Sequence, residues 1–249
     1  MILKNQARSP TAKPPPRAIN HKERYMMKST PLLTTLCLAA LTLTGCASKY
    51  VAPEQYSGFL QNYSALKEDE SPSGAAVMRW VQPNVDVKRY TSVYIEPSQL
   101  YPKPQPTEKV PDSTLKGITQ YYDQALRREF AKALPLATSP GAGTLIVRPA
   151  ITAVSASTKG LRPYEVIPIA LVAAGVSLAT GIRDQDTSLA TEAAFIDAAN
   201  NQVVAEVVRK GAGADLENSS QVMTAQDVKA VLDVWASDMG KSFQRLKGK

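Results

Sequence analysis

Apolar positions after residue 110 recur at spacings of three and four residues in two long segments, which predicts two amphipathic helices. The first helix is predicted to begin at Asp112 or Ser113, to run to about Leu134 and to end at Pro135. The second is predicted to begin after Thr224, with Asp227 in the capping-box position. Each helix must bury its apolar stripe against a partner. The stripes are Leu115, Ile118, Tyr122, Leu126, Phe130 and Leu134, and then Val228, Val231, Leu232, Trp235, Met239 and Phe243.

Alternating apolar and polar positions predict strands before and between these helices. Pro149 lies inside the longest one, so that strand is expected at an edge of the sheet or with a bulge. Residues 198–201 (Ala-Ala-Asn-Asn) predict a hairpin turn, because Asn tolerates positive φ. The combination predicts an α+β fold: a two-layer α/β sandwich with a mostly antiparallel sheet and two amphipathic helices packed on one face. The strands are predicted at residues 77–81, 91–95, 144–156, 188–197 and 202–210.

A short apolar run near the N-terminus has the features of a secretory signal. Lys28 precedes it, the run extends from Pro31 to Leu43, and Leu43-Thr44-Gly45-Cys46 follows. The run is too short to span a bilayer, which needs about 20 apolar residues. The four-residue sequence is a lipobox and resembles the signal of bacterial lipoproteins. That resemblance implies cleavage before Cys46, which then carries covalent lipid as the first residue of the mature protein.

The chain divides into three predicted parts. The first is a leader whose real start is predicted at Met26 or Met27, directly before the signal. A tether with a short helical piece follows the lipidated cysteine. Ala47 is not the Asp that resembles an inner-membrane retention signal, so the outer membrane, facing the periplasm, is expected. The parts are residues 1–45, residues 46–75, and residues 76–249, which form a single periplasmic domain with an apolar insertion at 160–183.

The formal charge of +7 belongs mostly to the leader. Residues 46–249 contain 22 Lys and Arg and 21 Asp and Glu, so they lack the basic footprint of a nucleic-acid-binding protein. They contain no His and no Cys except Cys46, which excludes His-dependent nucleophiles and ordinary zinc sites. We therefore expect a protein that is not an enzyme and that has no metal and no cofactor beyond the covalent lipid.

The insertion contains a long uncharged segment from Val166 to Ile182. One interpretation is a helix or loop folded over the end of the sheet. The other is an apolar surface that docks on a partner or dips into the membrane. A spanning helix is disfavoured, because Pro168 and two Gly interrupt a run of marginal length. The candidate contact residues are Ile169, Leu171, Val172, Val176 and Leu178.

Glu192 is the most notable ionisable residue, because it lies within a predicted strand. It is expected to pair across the sheet with Arg148 or Arg209. The alternative is a catalytic carboxylate, which requires a second one nearby. The aromatic residues Trp80, Tyr90, Tyr94 and Tyr101 are expected to pack in the core or a loop, or else to form a carbohydrate platform.

Five short motifs extend over nearly the whole mature chain. They are Tyr56-Ser-Gly-Phe-Leu-x-x-Tyr-Ser-x-Leu-Lys67, Arg79-Trp-Val, Tyr90-x-x-Val-Tyr-Ile-Glu-Pro97, Ile182-Arg-Asp184 and Glu192-x-x-Phe-Ile-Asp197. Their spacing resembles a family of bacterial lipoproteins, domain of unknown function 3313 (DUF3313). The resemblance implies a lipoprotein and brings no activity or ligand. The order of elements is also similar to auxiliary lipoproteins such as those serving curli secretion, at the level of fold only.

The sequence thus predicts a lipid-anchored envelope lipoprotein that acts as a non-enzymatic binding, adaptor or assembly module. Its expected partners are the membrane, through the lipid, and another envelope protein. Two alternatives stay open. One is a cell-wall hydrolase that uses only carboxylates, with Glu192 the first residue to test, and the other is a carrier of a small apolar ligand.

Overall fold

The computed structural model describes residues 49–158, 185–218 and 220–248. Within these residues, seven strands form one mixed sheet. The strands are β1 (Lys67–Glu70), β2 (Ala76–Val81), β3 (Ser92–Ile95), β4 (Gln99–Leu100), β5 (Thr144–Thr158), β6 (Gln185–Asp197) and β7 (Gln202–Ala212).

The strand order is β1-β2-β7-β6-β5-β3, and β4 also pairs with β5. All neighbours are antiparallel except β3 and β4, which run parallel to β5. The long hairpin of β6 and β7 turns at Asn201, whose φ is 56°. The predicted α+β class with a mostly antiparallel sheet is therefore confirmed.

Pro149 lies in an interior strand rather than at an edge. β3 ends opposite Val147 and β4 begins opposite Ala150, so the ladder on that side is interrupted at Pro149. Proline has no N–H to donate, and this gap removes the need for one. The predicted bulge is present, because the register with β6 shifts between Ile151 and Ala153.

Two helices pack together, α1 (Asp112–Phe130) and α2 (Lys229–Lys247). The predicted cap of α1 is wrong by one residue: Pro111 occupies the N-cap position without a side-chain hydrogen bond. The helix also ends about one turn before Leu134, since the residue preceding a proline is disfavoured in the α conformation. The capping box of Thr224 with Asp227 is confirmed and opens a 3-10 turn that leads into α2.

Both helices pack on one face of the sheet, as predicted. This helix-covered face is a continuous apolar core that the strands complete with Val77, Val93, Val147, Leu189 and Val207. All six residues of the first predicted stripe are buried, including Leu134 just beyond α1, and five of the six in the second stripe are, with Val231 partly buried. Burial of such side chains contributes about 1.5–3 kcal/mol each.

One ion pair interrupts this apolar core. Arg209 on β7 and Asp238 on α2 are each only 2% exposed, and their side chains meet at 2.9 Å. The backbone N–H and hydroxyl of Ser73 also donate to Asp238, at 3.0 and 2.8 Å. The pair therefore joins the sheet, the second helix and the turn before β2.

The opposite face of the sheet is covered by the N-terminal segment, residues 51–66. It contains two 3-10 helices, Pro53–Gln55 and Tyr63–Ala65, instead of the predicted helical piece. Val51, Leu60 and Leu66 are buried there against strand residues. Sequence analysis placed this segment in a tether of residues 46–75, yet in the structure it packs on the sheet and continues into β1, because its apolar side chains find a partner surface there.

No helix in the described ranges is both long enough and apolar enough to cross a membrane. The lipobox residues Leu43, Thr44, Gly45 and Cys46 lie outside those ranges. The same holds for the candidate contact residues of the insertion, Ile169, Leu171, Val172, Val176 and Leu178.

Candidate functional site on the second face of the sheet

Glu192, singled out from the sequence, points from β6 toward the N-terminal segment. It is 1% exposed. The backbone N–H of Ser57 donates to Glu192 Oε1 at 3.0 Å, and the Tyr63 hydroxyl donates to Oε2 at 2.6 Å. Hydrogen bonds to a charged group contribute about 1.5–3 kcal/mol. This carboxylate therefore fastens the segment to the sheet.

Tyr63 is the centre of a small hydrogen-bonded network. Its hydroxyl accepts from the N–H groups of Gly58 and Leu60 at 2.9 and 3.1 Å. Gly58 has a φ of 86°, a backbone conformation that other L-residues rarely adopt. Burial, and then the hydrogen bond to Glu192, raise the pKa of Tyr63 to about 12. The hydroxyl therefore stays protonated and donates throughout the physiological pH range.

The expected pairing of Glu192 with Arg148 or Arg209 is wrong. Arg148 forms a bidentate ion pair with Glu96: its Nε donates to Oε2 at 2.6 Å and its Nη2 donates to Oε1 at 3.0 Å. Arg209 points to the helix-covered face and pairs with Asp238. Arg209 is opposite Thr191, the residue before Glu192 on β6. Because successive strand residues alternate between faces, Arg209 and Glu192 lie on opposite faces.

A second carboxylate, Glu206 on β7, lies diagonally across the ladder from Glu192. Glu192 is opposite Val208, and Glu206 is opposite Ala194. Burial raises the pKa of Glu206, hydrogen bonds from the backbone N–H groups of Gln61 and Asn62 lower it, and the charge of Glu192 raises it further. The overall direction is upward. The two acids thus lie near one another under the same segment.

Glu206 borders a cavity of about 100 Å³ beneath the N-terminal segment. Glu206 is 2% exposed, and its Oε1 has no hydrogen-bond partner among the described residues. The walls and rim also include Gln61, Asn62, Ala65, Trp80 and Val203.

Aromatic side chains surround this region. The rings of Tyr56 and Tyr63 stack at 4.5 Å, and Phe59 meets Tyr101 edge-on at 5.6 Å. Trp80 and Tyr94 lie on the same face. Of the aromatic residues noted in the sequence, Tyr90 is the exception, because it is buried in the helix-covered core.

The helix-covered face has a smaller, mainly apolar cavity of about 70 Å³. It lies between the second half of α2 and the strands, with Met239, Phe243, Phe195 and Val207 in its walls. Phe195 is near the hairpin end of β6, whereas the apolar insertion precedes Gln185 at the other end of that strand.

Sequence reasoning found Glu192 but missed the importance of Glu206 and Tyr63. Glu206 alternates with valines in β7, which is the pattern of an ordinary strand with one solvated face. Tyr63 was included only as one position of the motif that begins at Tyr56. The signal that could have linked them is the density of aromatic and small polar residues from Tyr56 to Tyr63, which is unusual for a free tether.

Comparison with known proteins adds two findings. The family described as "Protein of unknown function (DUF3313)" matches residues 55–239. A protein of Escherichia coli strain K12, "Uncharacterized lipoprotein YdcL", is 44% identical over 213 residues, which is 85% of this chain and 96% of that protein.

Two solved structures show a distant likeness to this chain. The PelC dodecamer from Paraburkholderia phytofirmans has a TM-score of 0.36 at 12% identity, over 65% of this chain and 96% of that one. A minor lipoprotein from Acinetobacter baumannii has a TM-score of 0.29 at 12% identity, over 63% and 91%. At these TM-scores the likeness supports no conclusion about the present protein.

A lipobox, an α+β domain and a close lipoprotein relative together define a class, namely envelope lipoproteins anchored through lipid. Within that class the family follows from the match over residues 55–239. The chain belongs to the DUF3313 family.

Proposed function

We propose that this lipoprotein is a non-enzymatic binding, adaptor or assembly module, held by lipid on Cys46 at the outer membrane and facing the periplasm. The observation that supports the proposal is that a buried acid has a structural role. Glu192 holds the N-terminal segment against the sheet, and it does so through both of its oxygens. A carboxylate committed in this way is a structural fastener.

The alternative of a carboxylate-only hydrolase is less well supported. Such an enzyme needs two carboxyl groups that flank a substrate in an open cleft, about 5–9.5 Å apart. Here the two acids are 1% and 2% exposed, and the N-terminal segment lies over both. A polysaccharide chain could not reach Glu192 without displacing Ser57 and Tyr63.

The lipid would keep the folded domain close to the bilayer. Val51, five residues after Cys46, is already buried against the sheet. An extended chain of that length spans at most about 17 Å. A long flexible arm would let the module search a wide volume, whereas this short link favours a partner in or on the same membrane.

We propose that the partner-binding surface is the apolar segment 166–182, because the two outermost strands of the described sheet order, β1 and β3, are protected. The edge strand β1 carries only charged residues, and charges discourage edge pairing. The other edge strand, β3, is bonded by residues 135–137: Val93 N–H donates to Pro135 O, and Ala137 N–H donates to Val93 O. Segment 166–182 belongs to the stretch of chain that connects Thr158 to Gln185, and these two residues face each other across the ladder.

Membrane fractionation of Cys46→Ala tests the anchor. The variant lacks the thiol that receives lipid, so we expect it in the soluble periplasmic fraction with an unchanged fold by circular dichroism. Cys37→Ala is the matched control and should fractionate like the unaltered protein. Retention of Cys46→Ala in the outer membrane would refute the anchor.

Photo-crosslinking in intact cells tests the partner surface. A probe at Leu171 should capture a discrete envelope protein, and Leu171→Lys together with Val172→Lys should abolish its co-purification. A probe at Val234, which is 43% exposed on α2, serves as control. If the double variant is folded and still recovers the same partner, the insertion is not the interface.

A further inference from the structure

The Glu206 cavity has an unused acceptor that the fastening role of Glu192 does not explain. Glu206 is 2% exposed, and Oε1 has no hydrogen-bond partner among the described residues. Leaving a buried acceptor unsatisfied costs about 1–3 kcal/mol, and more if it is charged. Proteins retain such groups rarely, and the binding of a water or an ion is one of the recognised reasons.

The surroundings of Glu206 favour a positive charge. Glu192 on the adjacent strand adds a second negative charge. The cationic residues of this face have other partners: Arg148 pairs with Glu96, and Lys210 donates to Gln55 Oε1 at 3.3 Å. No ion pair joins Glu206 to a described Lys or Arg, so an incoming cation would have no competitor.

The remaining walls indicate which kind of cation fits. Trp80 supplies an aromatic ring, and rings of this type attract organic cations at about 0.5–2 kcal/mol. Gln61 and Asn62, both exposed, form a polar rim through which a ligand can enter. Ca²⁺ or Mg²⁺ would need six or more oxygen ligands, far more than one carboxylate provides.

Cavity size limits the ligand to a small group. The space is about 100 Å³. A cavity of roughly 150 Å³ holds benzene, so the group here must be smaller than that ring. An ethylammonium group satisfies the size, the charge and the hydrogen-bonding requirement of Oε1.

We propose that the cavity bordered by Glu206 and Trp80 binds a primary ammonium group of about the size of ethylammonium, with Glu206 Oε1 as its acceptor. The group could belong to a free amine or to a lipid headgroup that contains ethanolamine. The proposal concerns the described second face alone and does not depend on lipid anchoring or on the insertion.

Isothermal titration calorimetry on the full lipidated protein in detergent tests the proposal, with ethylammonium chloride as the probe and sodium chloride as the ionic-strength control. We expect saturable one-site binding that weakens about tenfold or more in Glu206→Gln, because a charged hydrogen bond is lost. Trp80→Leu should weaken it less. Glu68→Gln, which alters an exposed acid on β1, should bind as the unaltered protein does.

Phosphoethanolamine in a parallel titration distinguishes the two sources. Binding as tight as that of ethylammonium, and equally sensitive to Glu206→Gln, identifies a headgroup as the source. Much weaker binding identifies a free amine. The proposal is overturned if ethylammonium gives no heat beyond sodium chloride, or if the unaltered protein and Glu206→Gln, both folded by circular dichroism, bind it equally.

Discussion

The two faces of the sheet are both covered, but by different kinds of contact. On the helix-covered face, two regular helices bury long apolar stripes, and one ion pair of Arg209 with Asp238 lies among them. On the second face, an irregular segment is held by hydrogen bonds to Glu192 and by stacked aromatic rings. The first cover is held almost entirely by apolar burial, whereas the second combines a smaller apolar cluster with hydrogen bonds to one buried carboxylate.

This difference makes the helix-covered face the more robust of the two and the second face the more easily changed. Apolar burial is distributed over dozens of contacts, so no single one decides whether the helices stay in place. The N-terminal segment buries fewer apolar side chains, its hydrogen bonds to the sheet converge on Glu192, and it borders a cavity with an unsatisfied acceptor. The second face is therefore where a small change in bonding or occupancy has the largest local consequence.

Asp238→Asn should have the largest effect on the helix-covered face. It leaves the Arg209 guanidinium buried and uncompensated, which typically costs about 3–5 kcal/mol. Urea denaturation monitored by circular dichroism should show the midpoint falling accordingly. Asp233→Asn, which loosens a half-exposed pair with Arg128, should cost about 0.2–1 kcal/mol. Similar losses in the two variants would contradict the assigned role of the buried pair.

Tyr63→Phe should come next and should act mainly on the second face. It removes one donor to Glu192 and the acceptor for two N–H groups, an expected loss of about 1.5–3 kcal/mol. Hydrogen exchange should accelerate at Ser57, Gly58 and Leu60 while α1 and α2 keep their protection. Tyr94→Phe, on the same face, should leave those rates unchanged. Uniform acceleration across both faces would mean that the segment is not an independent unit.

The pH dependence of stability should have opposite signs at the two buried acids, and this is the smallest effect. Burial raises the pKa of Asp238, but hydrogen bonds from Ser71, Ser73 and Arg209 outweigh it and lower that pKa below its usual 3.8. Its contribution is therefore present above pH 3.8 and is lost as the pH falls through the folded-state pKa. Burial raises the pKa of Glu206 above its usual 4.5, so its contribution is present below pH 4.5 and is lost as the pH rises through the folded-state pKa.

Glu206→Gln should consequently be more stable than the unaltered protein at pH 7 and no more stable near pH 4. Urea midpoints measured between pH 4 and pH 8 check this expectation. Glu217→Gln, an exposed acid, is the control. A loss of stability at pH 7 in Glu206→Gln would show that the charged carboxylate is already compensated in the free protein.

Sequence reasoning succeeded where structure follows a regular period. The stripes from Leu115 and Val228, the hairpin at residues 198–201 and the cap at Thr224 are local patterns, so they can be read without knowing the partner. It failed at β1, since four successive charged residues carry no strand pattern. It also failed at residues 51–66, because irregular chain has no period, and the residues that hold it are far away in sequence. The prediction of Glu192 was right in position and wrong in partner for the same reason.

The hydrogen bond between Tyr63 and Glu192 also determines when folding can be completed. The two residues are 129 positions apart, so the bond cannot form until β6 has been made and has found its place in the sheet. Closing so long a loop is entropically costly and slow. The N-terminal segment therefore cannot be fastened to the sheet through this bond before the chain has been made as far as Glu192.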